Sequence, residues 1–398
     1  AHINLGITLQ ELGRIDEAEA RYTQALALKP DYAAGYSNLG SALQDLGSLE
    51  DAVTSYNQAI VLEPDFAEAH YNLGIIFQDL DRFDKAVASY TQAITLKPGY
   101  AEAHYNRGNA FQELGRLEEA EASYNRAIAL KPDPVEALHN LAIVQGFMNN
   151  LEAEVISLQN ILRMSADDYD LRARVNLSIC KFLQGNFLDS KRHLLAASKI
   201  QEKTLPIFKN EKIYYDYISN ILGWHENEYS GVKRVKSDKD LYVIGESHSL
   251  TSHHLRIQYL GMEFFCNARL IKGCKQWHLG NAFRNRYKHQ FESIFLALPK
   301  NSHVLLAIGE IDCRLDTGII VHKRKFPEKP VKSIISNTVR NYLTYIVNTN
   351  YDRQNRIIIQ GVPCPKPNIG QHEKKDMTEL AEVIDLFNSE LKMQSKER

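Results

Sequence analysis

The sequence predicts an α + α/β fold class, in which an α-solenoid over residues 1–200 precedes a three-layer α/β/α domain over residues 241–398. The first observation is a motif that recurs every 34 residues in the first part. The second is an alternation of short β-branched apolar runs with helical patterns beyond residue 240, which indicates a parallel sheet of flavodoxin-like type covered by helices. The third is a connector over residues 201–240, which loses the repeat, holds one amphipathic helix and ends in a basic run.

Four comparable segments follow one another at a step of 34 residues, the first beginning at Asn4. In each, a glycine and an alanine allow two helices to approach, a tyrosine fills the space between units, and a proline ends the second helix. These positions are Gly6, Gly40, Gly74 and Gly108; Ala18, Ala52, Ala86 and Ala120; Tyr22, Tyr56, Tyr90 and Tyr124; and Pro30, Pro64, Pro98 and Pro132. Two looser units follow, around residues 141–163 and 177–200, as expected at the end of a stack.

This pattern resembles the tetratricopeptide repeat (TPR), and the units are similar to those of protein O-linked N-acetylglucosamine transferases. The resemblance implies a superhelix in which the first helices line a concave groove that binds a protein or an extended peptide. No glycosyltransferase domain follows the repeats, so that activity is not implied. The first unit lacks the start of its first helix, and we therefore expect a piece of a longer array.

Two rows of polar residues recur with the repeat and predict a peptide-binding face. The asparagines are Asn4, Asn38, Asn72, Asn106 and Asn140, and the acidic residues seven positions later are Glu11, Asp45, Asp79 and Glu113. Seven residues are two helical turns, so both rows share a face. A carboxamide donates and accepts hydrogen bonds, which suits a peptide backbone, and the acidic row favours a basic segment. Alternatively, duplicated units carry the asparagines passively.

Four apolar runs predict the strands of the second domain, and each closes in a polar loop. The predicted strands are 241–247, 262–271, 303–312 and 356–363, and the predicted helices are 283–298, 331–348 and 374–396. Ligands of such sheets lie at the carboxyl ends of the strands. These ends carry the stretches GESHS, GEIDCR and GVPCPKPN.

The first two of these loops resemble the G-D-S and G-x-N-D blocks of the SGNH, or GDSL-like, hydrolases. The resemblance implies that Ser247 is the nucleophile and that the N–H of Gly273, or less well Gly280, binds the oxyanion. Glu310 or Asp312 would orient the site. Ile311 stands where the family has asparagine, and no D-x-x-H block follows the fourth strand. The resemblance implies a serine esterase or acyltransferase acting on acylated glycans.

Other interpretations of the same residues stay open. A serine at a strand-to-helix turn commonly caps the helix without any chemistry. We expect His253 and His254 to lie within the following helix, and His278 and His322 to be surface or structural residues. A non-catalytic TPR adaptor, associated with glycan-modifying enzymes, is therefore the alternative function. We expect no metal site and no cofactor.

Composition narrows the classes of partner. The formal net charge is −2, which predicts no binding to nucleic acid or to a membrane surface. Residues 1–200 hold 17 Lys and Arg against 27 Asp and Glu, whereas the remainder holds 30 against 22. Five dispersed cysteines favour a reducing compartment, so we expect a cytoplasmic protein. No apolar run approaches the roughly 18 residues that a transmembrane helix needs.

Overall fold

A computed structural model describes most of the chain. The described residues are 2–164, 167–204, 209–228, 239–245, 253, 255–259, 261–271, 276–280, 285–308, 318–325, 327–361 and 374–396. The chain forms two compact units, residues 1–144 and 145–398. Among the described residues, no helix combines the length and apolar character required to cross a bilayer.

The first unit consists of antiparallel helix pairs in the predicted 34-residue register. The helices are α1 (His2–Glu11), α2 (Ile15–Leu28), α3 (Ala33–Asp45), α4 (Leu49–Leu62), α5 (Ala67–Asp79), α6 (Phe83–Leu96), α7 (Ala101–Glu113), α8 (Leu117–Leu130) and α9 (Val135–Phe147), whose last residues belong to the second unit. In each of the four regular pairs, the repeat glycine lies directly against the repeat tyrosine of the second helix. A Cβ atom on Gly74 would lie 2.6 Å from ring atoms of Tyr90, which is fully buried. Only glycine therefore fits at that helix crossing.

Repeat-like helices continue into the second unit and pack against its sheet. They are α10 (Leu151–Arg163), α11 (Asp167–Leu183), α12 (Phe187–Thr204) and α13 (Lys209–Glu228). Apolar residues of α11, α12 and α13 form one buried cluster with Ala268 and Leu270 of the sheet. This contact explains why the looser units lose the small-residue pattern, since they bury their apolar side chains against a strand instead of another repeat.

The sheet has five strands, four of them parallel. The strands are β1 (Lys239–Gly245), β2 (Arg256–Tyr259), β3 (Met262–Leu270), β4 (His303–Ala307) and β5 (Arg356–Ile359), in the order β2-β3-β1-β4-β5. Strands β3, β1, β4 and β5 are parallel, and β2 is antiparallel to β3. The parallel strands thus follow the doubly wound order. The chain places β3 on one side of β1 and then β4 and β5 on the other side, so the order of strands switches between β1 and β4.

Helices of the second unit cover one face of this sheet. They are α14 (Gln276–Gly280), α15 (Arg286–Ala297), α16 (Gly318–Lys325), α17 (Val331–Asn350) and α18 (Lys374–Ser395). Ile244, Val304 and Leu306 point to this face and form a core with all five helices. Ala268 points to the opposite face, because it is the register partner of Val243. The contact with α11–α13 therefore lies on the opposite side from α14–α18.

Two details of the sequence prediction are wrong. His253, predicted to lie in the helix after Ser247, is in a turn, and residues 256–259 form β2, which pairs antiparallel with β3. Gly261, which directly precedes β3, has a φ of 73°, a left-handed conformation that favours glycine. The strands predicted to reach residues 312 and 363 end earlier, at Ala307 and Ile359. Helices α14 and α16 were not predicted.

Candidate functional site

The first helices of successive repeats contact one another and form a continuous polar surface, called here the first-helix face. It comprises the asparagine and acidic positions of α1, α3, α5, α7 and α9. Asn4 is exposed and the four later asparagines are partly buried. Glu11, Asp45, Asp79 and Glu113 are all exposed. The structure therefore arranges the two predicted rows side by side, with the carboxylates more open to solvent than the amides.

Two glutamines, each beside an acidic residue of the row, link neighbouring repeats. Gln10 Nε2 donates to Asp45 Oδ2 at 2.6 Å and to Ser41 Oγ at 3.0 Å. In the next step along the array, Gln44 Nε2 donates to Asp79 Oδ2 at 3.1 Å. Each of these carboxylates is thus held by the preceding repeat through one oxygen.

The hydroxyl groups of the buried repeat tyrosines fix the orientation of the glutamine side chains. Tyr22 donates to Gln10 Oε1 at 3.1 Å, and Tyr90 donates to Gln78 Oε1 at 3.3 Å. Burial raises the pKa of both tyrosines, and the nearby carboxylates raise it further. The hydroxyls therefore keep their protons at neutral pH and remain donors. The amide oxygen accepts from the tyrosine, so the amide nitrogen faces the next repeat.

The asparagines also hold repeats together. Asn106 Nδ2 donates to the hydroxyl of Tyr71 at 2.9 Å, one repeat earlier. Asn140 Nδ2 donates to Tyr105 at 3.0 Å and to Asn109 Oδ1 at 3.0 Å. These amides therefore have structural partners in the free protein. Replacing them would weaken the array as well as change its surface.

Four carboxylates elsewhere on the first unit are paired with cations. Glu17, Glu50, Glu68 and Glu119 form salt bridges with Arg14, Arg82, Lys97 and Arg116 respectively. The hydrogen bond from the cation lowers the pKa of Glu17, Glu68 and Glu119. Glu11, Asp45 and Asp79 form no salt bridge with any residue that the structure describes. These three carboxylates of the first-helix face therefore have no cationic partner within salt-bridge distance among the described residues.

The candidate catalytic residues Ser247, Gly273, Glu310 and Asp312 all lie outside the described residues. The strands that lead into their loops are described, and their ends meet. Gly245 is the register partner of Ala307 on one side and of Leu270 on the other. The N–H of Ile271 donates to Gly245 O at 2.7 Å, and a Cβ on Gly245 would lie 2.4 Å from Ala307 O. All three loops therefore start from adjacent points at one edge of the sheet.

A buried glutamine that the sequence analysis did not single out links two of these strand ends. Gln276 is the first residue of α14, it is fully buried, and its Nε2 donates to Ile308 O at 2.7 Å. Ile308 directly follows β4 and precedes the loop that carries Glu310 and Asp312. A single sequence gives no signal for this contact, because it joins residues 32 positions apart.

The histidines have structural surroundings. His253 is buried, its Nδ1 accepts from the N–H of Ala268 at 3.1 Å, and its Nε2 lies 3.2 Å from Leu183 O. Nε2 therefore carries the proton, and both ring nitrogens are engaged. His278 stacks on Tyr287 with ring centroids 4.1 Å apart. His322 is partly buried on α16, and His254 lies outside the described residues.

Comparisons with known proteins agree with the repeat pattern. Residues 6–47 and 43–81 match a TPR repeat family model, and residues 71–134 match a second model described as tetratricopeptide repeat. The N-terminal 135 residues or so are therefore TPR repeats. The sequence matches no curated protein.

Three of the solved structures that the chain resembles are described here. MamA is 26% identical, with 40% of this chain and 92% of MamA covered at a TM-score of 0.39. YrrB, described as a TPR protein with an unusual peptide-binding site, is 19% identical, with coverages of 46% and 94% and a TM-score of 0.42. PilF of Pseudomonas aeruginosa is 14% identical, with coverages of 55% and 95% and a TM-score of 0.44.

Proposed function

We propose that this protein, whose first 135 residues or so are TPR repeats, uses them to bind an extended basic protein segment along the first-helix face. The observation that carries the proposal is that Asp45 and Asp79 are exposed, that each accepts a hydrogen bond from a glutamine of the preceding repeat, and that neither forms a salt bridge with a described residue. Stacked repeats present such a surface at regular steps, which matches a partner that is itself extended.

The preference for a basic segment follows from the contrast between the two sets of carboxylates. The paired set, such as Glu17 with Arg14, already has a cation within hydrogen-bonding distance. Asp45 and Asp79 have only neutral donors from Gln10 and Gln44. A lysine or arginine side chain of a partner would add the charge-assisted hydrogen bond that these carboxylates lack.

Neutralising two carboxylates of the first-helix face is the sharpest test of this proposal, because it leaves the asparagine–tyrosine contacts in place. We expect Asp45→Asn/Asp79→Asn to weaken binding of a fluorescein-labelled Lys-Ser repeat peptide roughly five- to tenfold at low salt, since each exposed ion pair contributes up to about 1 kcal/mol. Fluorescence anisotropy measures the affinity. The matched control is Asp31→Asn/Asp65→Asn, which removes the same charge from two exposed inter-repeat turns. Equal weakening in both double variants would show that net charge alone governs binding.

A second function, ester hydrolysis or acyl transfer, is proposed for the second unit. It is supported by the meeting of the β1, β3 and β4 carboxyl ends, from which the loops of Ser247, Gly273 and Glu310 start. The reversal of strand order between β1 and β4 is where ligands of such sheets bind. Ser247 would attack the ester carbonyl, the Gly273 N–H would bind the oxyanion, and Glu310 or Asp312 would orient the site.

The substrate class implied by the SGNH-like resemblance is an acylated glycan or glycoconjugate. The TPR array would then bring a protein partner to the ester-processing unit. Ile311, in place of the family asparagine, removes one oxyanion donor and favours the alternative of a non-catalytic adaptor. Hydrolysis of p-nitrophenyl acetate that depends on Ser247 would support the ester-processing function, and its absence would support the non-catalytic adaptor.

A further inference from the structure

The fourth repeat carries an arginine at two positions where the first three repeats share another residue. Arg107 on α7 stands in place of a leucine that the other units have, namely Leu5, Leu39, Leu73 and Leu141. Arg126 on α8 stands in place of a glutamine, namely Gln24, Gln58 and Gln92. Because the four units share one pattern, the first three show which residues the packing of a repeat requires, and neither arginine is among them.

Arg107 is partly buried and is directed toward the second helices of the array. Its Nε donates to Ser123 Oγ on α8 at 3.3 Å, and its Nη1 donates to Thr91 Oγ1 on α6 at 3.5 Å. Leu73, at the same position of the third repeat, is buried. Burial lowers the pKa of Arg107, so its guanidinium is less hydrated than an exposed one, although its hydrogen-bond partners are neutral. A cation in these surroundings gains from an anionic partner.

Arg126 lies beside the same group of side chains. It follows Ser123 by three residues on α8, so both share a helix face. In the same way, Arg107 follows His104 by three residues on α7. Burial lowers the pKa of His104, and the charges of Arg107 and Arg126 lower it further, so both guanidinium groups lie near this one imidazole. Arg107 and Arg126 are called here the arginine pair.

The arginine pair has no anionic partner within salt-bridge distance among the residues that the structure describes. Arg126 is exposed. Against the effect of burial, the charge of Glu119 raises the pKa of Arg107, so this carboxylate is nearby. Both oxygens of Glu119 already accept hydrogen bonds from Arg116, however. The pair therefore presents two cations together within residues 1–200, where acidic side chains outnumber basic ones.

We propose that the arginine pair of the fourth repeat binds carboxylates of an acidic protein segment on the second-helix side of the array. A guanidinium group forms charge-assisted, often bidentate hydrogen bonds with a carboxylate, which Arg107 does not obtain from the hydroxyls of Thr91 and Ser123. The charge of Glu119 near Arg107 favours a carboxylate over a phosphoryl group, because it repels a dianion more strongly than a monoanion. The inference does not depend on the binding of a basic segment, which would use the first-helix face.

The test restores, in the full chain, the residues that the first three repeats have at these two positions. We expect Arg107→Leu/Arg126→Gln to weaken binding of a fluorescein-labelled Glu-Ser repeat peptide roughly five- to tenfold at low salt, and to change binding of the Lys-Ser repeat peptide by less than about twofold. Fluorescence anisotropy measures both affinities. No measurable binding of the Glu-Ser peptide to the unchanged protein would overturn the proposal.

The matched control is Arg21→Ser/Lys29→Gln, which removes the same charge from α2 and from the residue that follows it. Serine is also the residue that the other three repeats have at the position of Arg21. We expect this variant to keep the affinity for the Glu-Ser peptide within about twofold. Equal weakening in both double variants would overturn the proposal, because net charge alone would then govern binding.

A measurement of stability separates binding from a structural role of Arg107. Leucine is the residue that other repeats bury at this position, so Arg107→Leu should have a midpoint of urea unfolding equal to or above that of the unchanged protein. A lower midpoint together with an unchanged affinity for the Glu-Ser peptide would assign the arginine to packing and overturn the inference.

A comparison of two peptides of equal charge tests the choice of a carboxylate. One Ser-Gly repeat peptide carries two adjacent glutamates, and the other carries one phosphoserine. We expect the glutamate peptide to bind at least as tightly as the phosphoserine peptide and to lose affinity in Arg107→Leu/Arg126→Gln. Tighter binding of the phosphoserine peptide, lost in the same variant, would overturn the assignment to an acidic segment.

Discussion

Replacing Ser247 with alanine is expected to lower hydrolysis of p-nitrophenyl acetate by about 10³-fold or more, because the nucleophilic hydroxyl has no substitute. The position supports this expectation, since Ser247 follows β1 by two residues and β1 lies between β3 and β4, whose carboxyl ends adjoin its own. p-Nitrophenolate release measured spectrophotometrically over a series of substrate concentrations gives kcat and KM for both proteins.

Ser249→Ala is the matched control for this change. Ser249 lies in the same GESHS stretch, two residues further on, so it reports any effect of altering the loop rather than the nucleophile. We expect Ser249→Ala to retain the hydrolysis rate. Equal rates for the unchanged protein and Ser247→Ala would exclude the hydrolase function and leave a TPR adaptor.

Truncating Tyr90 is expected to have the largest effect on stability, about 3–5 kcal/mol in the free energy of unfolding of the array. The ring is fully buried, it fills the space above Gly74, and it contacts Tyr71 with centroids 5.8 Å apart. Alanine would leave a cavity at the junction of three helices. This cavity cannot collapse, because all the remaining repeats fix the spacing of the backbones. Urea unfolding followed by far-UV circular dichroism measures the loss.

Two controls separate cavity formation from loss of the hydroxyl. Tyr90→Phe removes only the donor to Gln78 and should cost about 1 kcal/mol. Tyr351→Ala removes a side chain that is 81% exposed and should change stability by less than about 0.5 kcal/mol. A loss in Tyr90→Ala no greater than in Tyr90→Phe would show that the repeats do not depend on this packing.

The repeat array was predictable because each unit has the same pattern of small and large residues. The period of 34 residues located every helix of the first unit, and the prolines after each second helix located its end. The cross-repeat contacts of the asparagines were not predictable. Asn106 and Asn140 meet Tyr71 and Tyr105, and tyrosine occupies that position in only two of the repeats.

The sheet was predictable in part, since apolar runs identified β1, β3, β4 and β5. The missed strand, β2, is four residues long and partly polar, so alternation gave little signal. Gly261, followed by an apolar run, was the available sign of a hairpin. The Gln276 contact could not be predicted at all, because it depends on how α14 is placed by its close approach to α17 through Gly280.

Photo-cross-linking of a basic peptide to the array tests the central proposal most directly. A Lys-Ser repeat peptide that carries one benzoylphenylalanine is irradiated with the protein, and the linked residues are identified by mass spectrometry. Binding along the first-helix face predicts cross-links on α3, α5 and α7, lost together in Asp45→Asn/Asp79→Asn. Cross-links confined to α4, α6 and α8, unaffected by that double change, would contradict it.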